Sequence, residues 1–150
     1  MTNVHNRVIA DLKQLGEWSK NIIDKLPPTG SMISDELYLQ NNAIQIAIIS
    51  QLEYFLKIKG KIKRQFEILD IIKNSPLQQL EKDNLIYLFL IRHTLVHNGG
   101  HYNKKFIDDC GKHTALKMEN VSEGLLSSLH PKNLPLYIDL VEKLIGENSN

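Results

Sequence analysis

The chain is poor in cysteine. Cys110 is the only one among 150 residues. That excludes an internal disulfide and any zinc site built mainly from thiolates, and it fits a reducing compartment. A dominant charge sign is also missing: 18 Lys and Arg against 17 Asp and Glu give a formal charge of +1. Affinity for nucleic acid or for an acidic partner would therefore have to come from a local patch. No apolar run reaches the length needed to span a bilayer, and residues 1–6 lack the apolar segment of a signal peptide. Strand-like alternation, internal repeats and low-complexity tracts are absent as well. Together these absences predict one soluble, cytoplasmic domain over residues 1–150, without membrane contact and long enough to bury a real core.

What the chain does have is helical periodicity. Val4, Val8, Ile9, Leu12, Leu15, Trp18, Ile22, Ile23 and Leu26 recur at helical spacing until Pro27-Pro28 stops the run. Ser34 with Asp35-Glu36 is a cap with two acids in the first turn. It opens a second helix with Leu37, Ile44, Ala47, Ile48, Gln51, Leu52 and Phe55 inward, up to about Gly60. Ile62, Phe66, Leu69 and Ile72 predict a third, broken at Asn74-Ser75-Pro76. A fourth, starting near Ser75 or Asp83, runs to His97 and carries the most apolar stretch of the chain, residues 85–91. A short helical turn is expected around Lys104 to Cys110. Val121, Leu125, Leu126 and Leu129 suggest a fifth helix, and Leu136, Ile138, Leu140, Val141, Leu144 and Ile145 a last one, with 147–150 fraying. Long helices with short connectors predict an all-α antiparallel helical bundle, four core helices plus extra C-terminal ones, around the helix that ends at His97.

That helix ends in Arg92-His93-Thr94-Leu95-Val96-His97-Asn98-Gly99-Gly100. A cation and two imidazoles directly after a core segment break the usual rule for buried positions, and such breaks concentrate at functional sites. Gly99 and Gly100 signal the helix end. The dipole in the last turn favours a protonated His97, suited to a general acid or a phosphate contact. On a regular helix, Arg92 and His97 lie about 140° apart. Either the helix distorts here, or the two residues serve a groove shared with another element or chain. The plain alternative is a salt-bridged helix end at the bundle surface.

The Arg-x4-His spacing, with polar His93 after the Arg and Asn98-Gly99 after the His, resembles the HEPN superfamily. The resemblance implies an all-α bundle and, in many members, a metal-independent endoribonuclease of toxin–antitoxin or antiviral defence systems. It also implies a homodimer whose paired Arg and His line one cleft. In those terms Arg92 would stabilise the phosphorane formed by 2′-hydroxyl attack and His97 would act as acid or base. RNA is the implied substrate, with no cofactor and no metal. An antitoxin or a nucleotidyltransferase is the further partner the resemblance implies. Members paired with a nucleotidyltransferase often carry Tyr two residues after the His. Here that position is Gly99 and Tyr102 follows later, which argues against membership of that pair and against its tyrosine modification. The alternative within the resemblance is a non-catalytic module that binds nucleotide, RNA or a protein partner.

Supporting roles fall to His93, as a second titrating or orienting group, to Asn98, and to Glu53, an acid on a core-leaning helix placed to pair with Arg92. His93 and His97, four apart, could chelate zinc. Thr94, however, stands where a metalloprotease has its Glu, and beyond His101 and His113 no ligand set is evident. Lys57, Lys59, Lys61, Lys63 and Arg64 form a basic run, either a solvated junction or a contact to the RNA backbone, which Lys104, Lys105 and Lys112 could extend. Trp18, Tyr54, Phe55, Phe66, Tyr87 and Phe89 read as packing residues. Tyr102 reads as a loop residue exposed beside the cleft, able to stack on a base or to pack. Cys110 reads as structural.

Overall fold

Among the described residues, helical periodicity in the sequence becomes six α-helices and one 3-10 turn. The computed structural model describes residues 3–28, 31–97, 99–115 and 130–150. The helices are α1 (Asn3–Asp24), α2 (Asp35–Ile58), α3 (Glu67–Lys73), α4 (Gln79–His97), α5 (Lys104–His113) and α6 (Leu134–Glu147), with the 3-10 turn at Pro131–Asn133. The described residues contain no strand. The architecture is the all-α bundle that the sequence predicts. The helix expected over 121–129 lies outside the described residues.

α2 begins where its cap predicts: the Ser34 hydroxyl accepts the Leu37 N–H at 3.3 Å, with Asp35 and Glu36 in the first turn. It packs on α1, α4 and α6. α4 packs on α2, α3, α5 and α6. Its Leu85, Ile86, Leu88, Phe89, Leu90 and Ile91 are all buried. At 100° per residue these six positions cover the whole circumference, so this part of α4 can only sit at the centre of the bundle. The C-terminal helix is a full member of the core, because α6 packs on α1, α2 and α4.

Three expectations need correction. Trp18 is 52% exposed. The buried stripe of α1 runs through Val8, Leu12, Leu15, Ser19 and Ile22, and Trp18 lies about 80° from its centre. Ser19 takes the inward position, its hydroxyl donating back to the Leu15 carbonyl at 2.7 Å. α3 begins at Glu67, five residues later than the apolar spacing suggests, which leaves buried Ile62 and half-exposed Phe66 in the connector. The C-terminal tail is tied down: Ser149 Oγ lies 2.8 Å from His5 Nδ1, and Lys59 Nζ donates to the Ser149 carbonyl at 3.0 Å.

Burial at the centre sets the stability. Truncating Phe89, 1% exposed, to Ala is expected to cost about 3–5 kcal/mol. Leu80→Ala, at a side chain 66% exposed on the same helix, should stay within about 0.5 kcal/mol. Urea denaturation of the two variants checks this, and equal midpoints would contradict the central placement of α4.

Candidate functional site

α4 is helical in one run from Gln79 to His97. The helix therefore does not distort at the motif, and Arg92 and His97 keep the separation of about 140° that a regular helix gives them. Each finds different company. Arg92 turns to α2, where its Nη2 lies 3.3 Å from Glu53 Oε2, with both side chains mostly buried. This is the pairing the sequence suggests. The same carboxylate accepts from Lys57 Nζ at 2.7 Å and from Gln65 Nε2 at 3.3 Å. Arg92 Nε is buried without a hydrogen-bond partner. One carboxylate thus orients a guanidinium whose donors are not used up.

His93 and His97 lie together one turn apart, ring centroids 4.6 Å from each other and planes at 49°. His93 also packs near-perpendicular to Phe66 at 6.3 Å, and Phe66 in turn to Phe89 at 5.5 Å. Lys105 of α5 reaches back so that its Nζ sits 5.3 Å from the Phe66 centroid, while bonded to Asp109 at 2.7 Å. A small pocket between α4 and α5 is lined by Phe66, His93, Thr94, Lys105, Phe106 and Asp109 among others. Burial holds the His93 imidazole below its ordinary value of 6.5, reinforced by the neighbouring His97, Lys105 and Arg92 and opposed by Asp109. Near neutral pH it is therefore a neutral ring able to accept a proton.

The basic run, which sequence alone cannot position, borders this site. Gln65 touches Glu53 and Phe66 touches His93, so the α2–α3 connector lies along the end of α4. Lys61, Lys63 and Arg64 are exposed on it. The Glu67 carboxylate accepts the N–H groups of Lys63 and Arg64 and is held below the usual carboxylate range by those bonds. Lys57 is engaged with Glu53, and Lys59 with the C-terminal tail.

Of its two readings, exposed stacker or packing residue, Tyr102 is the second. It is 7% exposed, with its hydroxyl 3.1 Å from that of Tyr87 and its ring 4.9 Å from Phe106. It packs α5 against α4 and offers no face to a ligand. The exposed aromatic at the site is Phe66, 43% exposed, and Tyr54 is likewise 44% exposed. Both differ from the packing role the sequence suggests, whereas Phe55 and Phe89 fill it. Asn98 lies outside the described residues. His101 is exposed, and His113 Nδ1 faces Lys73 Nζ at 2.8 Å. Among the described residues no three His, Cys, Asp or Glu side chains gather as a metal site. Cys110 is buried, its thiol pushed up to about 12 chiefly by burial, which keeps it unreactive. Beyond the motif, the site gains Phe66, Gln65, Lys105 and Asp109. Of these, the sequence marks Phe66 as a packing residue and Lys105 as an extension of the basic run, and the Lys105–Asp109 spacing of four is the one signal for Asp109.

No protein-family model matches the chain, and neither the curated proteins nor the solved structures contain a significant match.

The depressed imidazoles carry a pH signature. A His whose value falls on folding contributes stability that is present above about 6.5 and is lost as pH falls through the folded value, because the unfolded chain takes up the proton first. His113, lowered by burial and by Lys73, acts in the same direction. Stability measured by urea unfolding is expected to decline as pH falls below about 6.5, and His93→Gln should show a smaller decline. Parallel curves for the two proteins would contradict the burial of His93.

Proposed function

We propose that the end of α4 is the active site of a metal-independent endoribonuclease of HEPN type, working as a homodimer in a toxin or defence role. The observation that carries this reading is a pair of imidazoles 4.6 Å apart at the end of the same helix that carries an acid-oriented Arg92, beside an exposed basic connector. These are the parts that metal-free RNA cleavage needs. A base removes the 2′-hydroxyl proton, and O2′ bonds to phosphorus while the bond from phosphorus to O5′ breaks. An acid then returns a proton to O5′. His97 is the principal acid or base, and neutral His93 is the adjoining proton acceptor. Arg92 offsets the charge growing on the phosphorane through its planar fork. A two-fold dimer would bring two copies of Arg92 and His97 to one groove, which answers the separation of the two residues within a single chain. Lys61, Lys63, Arg64 and Lys105 would contact the backbone, so binding should weaken with salt.

One observation favours a second reading. Arg92 already has a carboxylate partner, and a guanidinium engaged by Glu53 can act as a structural tie in a module that binds RNA, nucleotide or protein without cutting. Cleavage of labelled RNA in EDTA separates the two. Wild type should cut, and His97→Ala and Arg92→Ala, each shown to be folded, should lose about 100-fold or more in rate. Full activity in folded His97→Ala would overturn the assignment. A folded wild type that binds RNA but leaves it intact would favour the binding module.

A further inference from the structure

We propose that Phe66 is a base-stacking subsite, on which an unpaired nucleotide of the RNA lies beside the His93–His97 pair. This rests on the reading of that pair as an RNA-cleaving site. It names the substrate as single-stranded RNA. A single exposed apolar side chain is ordinary on a protein surface. Phe66 stands apart because of what surrounds it. The ring is 43% exposed yet fixed through near-perpendicular contacts with buried Phe89 and with His93. Its backbone position is set by the connector whose N–H groups at Lys63 and Arg64 are held by Glu67. A rigid, accessible aromatic ring is what a base needs as a platform, since every base presents a π face.

The charges around the ring suit the phosphates that flank a stacked base. Lys105 Nζ lies 5.3 Å from the ring centroid, and its pairing with Asp109 is an exposed i,i+4 bridge, weak enough to exchange for a phosphate. Lys63 and Arg64 lie three and two residues before Phe66 on the same connector and are exposed. An aromatic ring between an exposed lysine on one side and the His93 imidazole on the other fits a nucleotide whose phosphate continues into the cleavage site. In a duplex the base is stacked within the helix and cannot reach the ring, so paired RNA is excluded.

The test is binding of a fluorescein-labelled, fully 2′-O-methylated RNA of about ten nucleotides, which cannot undergo 2′-hydroxyl attack. Anisotropy is read for wild type, Phe66→Ala, Phe66→Leu and Phe66→Trp, alongside cleavage of the unmodified strand, single and in duplex. Phe66→Ala and Phe66→Leu are expected to weaken binding about 5- to 150-fold, the loss of one base stack. Leu keeps the apolar packing without the π face, which separates stacking from folding. Phe66→Trp should bind at least as well as wild type, and the duplex should resist cleavage. Binding within twofold of wild type in both Ala and Leu variants, with cleavage intact, would overturn the subsite and leave the nuclease standing. Stacking-dependent binding by a wild type that cuts nothing would support the subsite and remove the nuclease. A wild type that binds no RNA would overturn both. A change of oligomeric state in Phe66→Leu would assign the ring to a protein interface and overturn the subsite.

Discussion

α4 has nowhere to go but the middle of the bundle. Six of the seven residues from Leu85 to Ile91 are buried, and they face every direction around the axis. Four other helices have to surround it. The polar end of the same helix must then emerge wherever those neighbours stop, and it emerges between the α2–α3 connector and α5. Arg92, His93 and His97 are held in place by that constraint. Their backbone is the continuation of a helix that cannot rotate without exposing Phe89 and its neighbours, each worth several kcal/mol of buried apolar surface.

A fixed backbone alone does not orient long side chains, and the ring of groups around α4 supplies the rest. Arg92 and Gln65 meet at Glu53, Phe66 and His97 meet at His93, and Lys105 reaches Phe66 from α5. These contacts join α2, the α2–α3 connector, α4 and α5. Glu53 serves Lys57, Arg92 and Gln65 together, so a single carboxylate couples α2, α4 and the connector. Its burial with Arg92 makes the pair sensitive to loss of either partner, because an unpaired charge would remain where water is scarce.

Much of this was legible before the structure. The helices follow from apolar spacing and from breaks at Pro27-Pro28 and Gly99-Gly100. The pairing of Glu53 with Arg92 follows from an acid on a core-leaning helix and a cation at the end of a core segment. Less legible were contacts that depend on tertiary placement. Phe66 sits at helical spacing with Leu69, yet the helix starts one residue later and the ring packs on α4 instead of inside α3. Tyr102, in a glycine-rich connector, suggests an exposed loop residue, but its spacing of four from Phe106 and its meeting with Tyr87 draw it inward. The tail at Ser149 is held by His5 and Lys59, partners 144 and 90 residues away, which no local pattern can announce.

In the proposed reaction, imidazoles and a guanidinium cleave RNA through its own 2′-hydroxyl. Mass spectrometry of the ends left on a cut oligoribonucleotide tests it most directly. A 2′,3′-cyclic phosphate on one fragment and a 5′-hydroxyl on the other are the ends this account predicts. A 3′-hydroxyl with a 5′-phosphate would mean that water attacked in place of the 2′-hydroxyl, and it would contradict the roles given to Arg92, His93 and His97.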